Sequence, residues 1–219
     1  MELRTGWYTN GLPGAECQYQ TYCLRSIDRL PPIHADLAGD FDWLPTVPRP
    51  LGWSISSADE PAGDRRFVAR AKAEAIDLPA SFVTLLAWPR WLWSLRSMTG
   101  CWWSLDGDSL QRLPTTDLLA IRFLTDQQGA LSWYLLLDGM PDPPVVVSYQ
   151  DFSDQETWEP SPIDHVYRCA PSFEAFVYRF WIENEIGFRT HEKEALTPEQ
   201  LAYLEEARRL VSASDTRSP

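Results

Sequence analysis

Few side chains in this chain stand at spacings that could do chemistry. The three histidines, His34, His165 and His191, each lack a second His or Cys at ligand distance, so no zinc site and no cofactor is expected. Asp106/Asp108 and Asp151/Asp154 offer oxygen ligands to a hard cation, but neither pair brings the rest of a binding loop, and Asp106-Gly107-Asp108 reads as a turn. Glu183 and Glu185 fall two positions apart on an expected helix. They diverge by about 200° and cannot serve as one acid/base pair. No G-x-S-x-G and no glycine-rich phosphate cradle occurs. A site assembled from distant positions remains open as an alternative.

One stretch has a chemistry of recognition rather than turnover. Asp151, Asp154, Glu156, Glu159 and Asp164 crowd into fourteen residues without a single base, with Phe152 and Trp158 among them and Pro160 and Pro162 to stiffen the chain. Dense negative charge speeds association with a cationic surface, and a buried indole is a strong interface anchor. Asp151, Phe152, Asp154, Glu156, Trp158 and Glu159 are therefore the expected partner-binding residues. The plainer alternative is a solvated loop that keeps the protein in solution, with both aromatics tucked into the core.

The elements that must position this loop are legible around it. Leu118–Thr125, Leu131–Leu137 and Pro144–Tyr149 alternate or run apolar as strands, separated by Thr125–Gly129 and by Asp138–Asp142, both rich in turn residues. A helix then starts at Ser172, with Glu174 in its first turn. It places Phe173, Phe176, Val177, Phe180 and Trp181 on one face. The loop is thus expected to join the last strand to this helix. Upstream, Cys101–Leu105 reads as a further strand, Asp64–Ile76 and the segment after Pro79 as helices, with Pro89 ending the second. Tyr22–Leu30 has near-helical spacing. Pro31–Pro61 has no sustained period, yet its Phe41, Trp43, Leu44, Leu51 and Trp53 can pin it to a core. At the other end Thr197-Pro198-Glu199-Gln200 is a capping box, with Leu196 placed to staple onto Leu201, for a helix to about Val211. The expected fold is a single α+β domain, an antiparallel-rich sheet packed against helices. Its core includes Phe82, Leu86, Ile121, Phe123, Trp133, Leu135, Val146, Phe176, Val177 and Phe180. Residues 1–62 form an N-terminal extension, 63–190 the core, 191–212 a C-terminal helix and 213–219 a frayed tail.

Composition narrows the partners. A 219-residue chain with 44% hydrophobic and 13% aromatic residues can build a real core. Its eleven tryptophans either pack that core or line a recognition surface. Net charge is −12, and from Asp138 to Glu194 twelve acids face four bases, a local charge of −8. Such a chain repels nucleic acid and anionic membrane and attracts a basic protein. No apolar run is long enough to span a bilayer, the N-terminus has no apolar export core, and Trp88–Leu95 is expected to be buried structure rather than a membrane wedge. With no C-x-x-C among Cys17, Cys23, Cys101 and Cys169, reduced thiols in a cytoplasm are expected.

The hairpin FLTDQ (Phe123–Gln127), the strand WYLLLDG (Trp133–Gly139), VVVS (Val145–Ser148) and the helix SFEAFVYRFWIEN (Ser172–Asn184) together resemble the SUKH superfamily, the Smi/Knr-type domain found among bacterial toxin-immunity proteins. LPASFVTLL (Leu78–Leu86) is similar to that family's early helix, with Phe82 in the aromatic place. The family's Asn-Gly after this helix is replaced by Trp88-Pro89-Arg90-Trp91-Leu92-Trp93. The likeness covers roughly 75–187, half of the chain. It implies a SUKH-like fold and an intracellular immunity or antitoxin-type protein that neutralises a toxin domain by direct binding, without catalysis. A regulatory or scaffold interaction domain with no toxin partner is the competing reading, and an enzyme with a non-contiguous site the third.

Overall fold

The three central strands form where the sequence alternates or runs apolar. A computed structural model describes residues 3–9, 12–13, 22–56, 61–114, 116–153 and 165–215. In chain order these give β1 (Arg4–Thr5), β2 (Trp7–Thr9), β3 (Cys23–Arg25), a 3-10 turn (Ile27–Arg29), α1 (Pro61–Ala73), α2 (Ala80–Ala87), α3 (Pro89–Ser94), β4 (Trp102–Trp103) and β5 (Leu110–Arg112). β6 (Leu119–Thr125), β7 (Ser132–Leu136), β8 (Val145–Ser148), β9 (Val166–Ala170), α4 (Phe173–Glu192) and α5 (Pro198–Asp215) follow. The seven-stranded sheet runs β1-β9-β8-β7-β6-β4. β5 pairs the other half of the edge of β6, and only β1 with β9 is parallel. A separate ribbon joins β2 to β3. The molecule is a mixed α+β domain with a mostly antiparallel sheet.

Both sheet faces are apolar, and α4 covers one of them. Ile121, Phe123, Trp133, Leu135, Val145 and Val147 point toward Phe173, Phe176, Val177 and Phe180. Phe123 meets Phe173 and Phe176 edge-on, each with ring centres 5.3 Å apart. A bulge between Arg122 and Leu124 lets Phe123 and Leu124 both face this core. Of the expected core residues, Leu86 is only part-buried. Val146 is buried on the opposite face, with Ala120, Tyr134, Leu136 and Phe152. Strand alternation sends Val146 away from its neighbours Val145 and Val147.

Several local expectations yield to tertiary pairing. Tyr22–Leu30 is not a helix: Cys23–Arg25 pairs with β2, and only one 3-10 turn follows. A weak helical period loses there to cross-strand packing, for a Cβ placed on Gly6 would meet the Leu24 side chain at 2.4 Å. Pro89 does not simply end α2; it opens α3 as a first-turn proline. β9 lies between the acidic stretch and α4, so that stretch joins two strands rather than a strand and the helix. The capping box forms in both directions: Gln200 N donates to Thr197 Oγ1 (3.2 Å) and Thr197 N to Gln200 Oε1 (3.0 Å). Leu201, however, is 46% exposed and does not complete the staple. Cys23 is disulfide-bonded while Cys101 and Cys169 are free, which corrects the expectation of four reduced thiols.

The irregular arm 31–56 is held by a buried acid. Glu174, fully buried in the first turn of α4, accepts hydrogen bonds from Gly39 N (2.6 Å), Phe41 N (3.0 Å) and Trp43 Nε1 (3.0 Å). Phe41 sits in the left-handed region (φ 59°), a strained backbone for an aromatic residue, and its ring is fully buried against Trp91 and Phe173. Glu174→Ala would leave one buried donor, Phe41 N, and two part-buried ones, Gly39 N and Trp43 Nε1, without this acceptor. We expect it to lower the free energy of unfolding in urea by about 3 kcal/mol and to open the arm to proteolysis near residues 39–43. A loss below about 1 kcal/mol would show that apolar contacts alone hold the arm.

Candidate functional site

The acidic loop leaves the sheet from a fixed root. Arg122 of β6 projects onto the sheet face opposite α4, where its Nη1 donates to Asp151 Oδ2 and its Nη2 lies 3.7 Å from Asp106. Ser153 closes the turn, donating its N–H (2.9 Å) and its hydroxyl (2.8 Å) to Asp151 Oδ1. Phe152 is 1% exposed, stacked on Tyr134 at 3.8 Å with the rings only 10° apart, and its N–H donates to the Tyr134 hydroxyl (3.2 Å). Phe152 is thus packed into the sheet, while Asp151 is tied to it with its side chain 30% exposed. The absence of a base within the loop does not leave Asp151 unpaired, because its cation comes from β6. Asp154, Glu156, Trp158 and Glu159 lie outside the described residues.

The richest set of reactive groups surrounds Cys101. The Tyr22 hydroxyl reaches Asp126 Oδ1 (2.6 Å) and Thr99 Oγ1 (2.8 Å), and lies 3.5 Å from Cys101 Sγ. Ser97 Oγ accepts from Cys101 N at 2.9 Å. Burial pushes the Cys101 thiol up and the Tyr22 hydroxyl further still, so neither is an anion near neutral pH. The void beside them measures about 10 Å³, room for a water molecule and no substrate. This cluster is a polar plug in an aromatic core.

The carboxylates weighed as acid/base groups are also committed. Glu183 accepts from Trp7 Nε1 and from the Tyr203 hydroxyl, both at 2.9 Å. Glu185 points elsewhere and takes a two-pronged ion pair from Arg96 at 2.8 and 2.9 Å. Asp106 closes the Asp-Gly-Asp turn, accepting from Asp108 N and from Ser109 Oγ. Among the described residues no group of three or more His, Cys, Asp or Glu side chains could hold a metal ion.

The described tryptophans divide between interior and surface. Trp7, Trp91, Trp103 and Trp133 are buried, whereas Trp53 (69%), Trp88 (58%) and Trp102 are exposed. Trp88–Leu95 is anchored by Trp91, Leu92 and Leu95, all buried, and no described helix is long and apolar enough to cross a membrane.

Sequence reasoning missed Arg122 and Glu174. Arg122 is visible only as one polar residue in an apolar strand. Glu174 reads as a dipole partner in a helix's first turn, and nothing nearby in sequence announces that its acceptors serve residues more than a hundred positions away. No family model matches the chain, and no curated protein or solved structure matches it either.

Burial alone would raise the Asp151 carboxyl, but the Ser153 bonds and the Arg122 charge outweigh it and hold the group below its ordinary value. A carboxyl lowered by folding contributes stability in full above its unfolded pKa and loses it as pH falls through the folded one. Asp151→Asn should therefore destabilise the protein near neutral pH. The gap between variant and parent should shrink below about pH 4, in thermal melts taken from pH 7 to pH 2.5. A gap independent of pH would show that the Asp151 charge contributes nothing to anchoring the loop.

Proposed function

We propose that this chain is a non-enzymatic protein-binding domain of the immunity or antitoxin type, which neutralises a toxin domain by direct binding. The observation that carries the reading is the clamped root of the acidic loop, Asp151 on Arg122 and Phe152 on Tyr134. A loop that starts from a fixed point loses less freedom on binding. With Asp151 and Phe152 committed to the sheet, the docking set narrows to Asp154, Glu156, Trp158 and Glu159. Five acids stand in 151–164 without a base, and the net charge of −12 favours a basic protein over nucleic acid. The likeness to the SUKH superfamily supports the toxin-directed form. Without that likeness, the same surface supports a regulatory or scaffold domain that binds a basic partner.

Changing Asp154, Glu156 and Glu159 together to Asn or Gln should leave the fold intact. It should slow association with a basic partner by about tenfold at low salt and flatten the salt dependence. The natural test partner is the product of the adjacent gene, co-expressed and scored for rescue of growth. Rescue by the parent and loss of rescue by the triple variant is the expected result. Unchanged rates and salt slope would remove the loop as the docking surface.

We place the protein in the cytoplasm, a reading supported by the free, buried thiols of Cys101 and Cys169. The disulfide at Cys23 weighs against it, since a cytoplasmic pool keeps thiols reduced. Alkylation of the cellular protein before lysis, read by mass spectrometry, should find Cys23 protected by its disulfide and Cys101 and Cys169 as free thiols. A modified Cys23 would show that the bond does not form in the cell and that its compartment is reducing.

A further inference from the structure

A second surface lies at the other end of the central strands. β8 begins beside the 138–143 turn and ends beside the acidic loop, so the two ends of the sheet present different faces. At the turn end an open groove of about 680 Å³ separates the α1–α2 connection from residues 139–141. Its floor is Leu119 and Leu137, joined by a hydrogen bond from Leu137 N to Leu119 O (2.9 Å). Ile76, Leu78 and Met140 add apolar surface from the sides.

The groove is preformed. On one wall Ile76 N donates to Ala71 O (2.8 Å), and Ala75 holds a left-handed backbone (φ 55°) that ends α1. On the other, Met140 N donates to Asp138 Oδ1 (3.1 Å), and Gly139 (φ 85°) supplies the turn. Met140 is 58% exposed at the lip, an unbranched, polarizable side chain suited to adapting around a guest.

Its charge is one-sided. Among the described residues no Lys or Arg lines the groove, whereas Glu74 and Asp77 do; Asp138 of the facing turn lines the other sheet face, beside Leu136 and Arg168. Glu74 pairs with Arg70, Asp138 bonds only its own turn, and Asp77 has no ion pair or hydrogen bond among the described residues. An apolar floor beside the Asp77 carboxylate complements an apolar side chain next to a cation. We propose that this groove docks an extended segment of a partner protein in which leucine-like residues alternate with lysine or arginine.

The probe is a pair of synthetic peptides with blocked ends, Lys-Leu-Lys-Leu-Lys and Glu-Leu-Glu-Leu-Glu, titrated into the full ¹⁵N-labelled chain. The lysine peptide should shift the amides of residues 75–78 and 139–140, leave those around Cys101 and α5 unmoved, and weaken by about tenfold between low and high salt. The glutamate peptide should give no shifts. Asp77→Lys and Met140→Ser, both at exposed positions, should each weaken the lysine peptide by at least about fivefold with the melting curve unchanged. Shifts equal for both peptides, shifts elsewhere, or no shifts at all would overturn the proposal. So would shifts at the same amides on concentrating the protein alone, which would make the groove a contact between copies of this chain.

Discussion

The structure depends on negative charge buried along one helix. Glu174, Glu183 and Glu185 are each less than a tenth exposed on α4, and each is answered by a different part of the chain. Glu174 gathers the 39–43 arm, Glu183 joins β2 to α5 through Trp7 and Tyr203, and Glu185 holds Arg96 ahead of β4. Asn184 adds a fourth tie, accepting from Met98 N at 2.8 Å. Buried charges of this kind stabilise little against a well-packed apolar alternative, but losing one partner is costly, so they favour one arrangement over its neighbours. An arm with no secondary structure of its own needs that discrimination most.

The same commitment divides the chain's acids into two populations. Those on α4 neutralise local donors and shape the interior. Most of the described ones on loops and helix ends remain at the surface, where they make the molecular field, although Asp64 and Asp126 are buried. Asp151 belongs to the first population although it opens the most acidic stretch, because Arg122 crosses from β6 to meet it. Asp77 belongs to the second, standing over an apolar floor without a counter-ion among the described residues. Charge counted from composition cannot separate these cases; only the distance to a cation does.

Both sheet faces are buried, which accounts for the run of apolar residues in β8. Val145 and Val147 pack toward α4, while Val146 joins Tyr134 and Phe152 on the reverse. Phe152, the first aromatic of the acidic stretch, fills that reverse face. An indole or phenyl ring among acids in sequence is therefore no guide to exposure when a second apolar face lies within reach.

Period and caps set much of the fold. The aromatic stripe of α4, the capping box of α5, the alternation of β6 and the valines of β8 are local patterns, and each formed as its spacing requires, because the stabilising contacts lie within a few residues or on one repeating face. Elements whose stability comes from distant pairing were not legible. β2 and β3 exist through each other, β1 through β9, and the arm through Glu174, none of which leaves a period in its own sequence. The candidate sites divide likewise. The acidity of 151–164 is written in the chain, while the commitment of Asp151 and Phe152 and the acidic groove near Met140 arise only when separate segments meet. Charge density is a property of neighbours along the chain. Burial and pairing are properties of neighbours in space, which the fold alone decides.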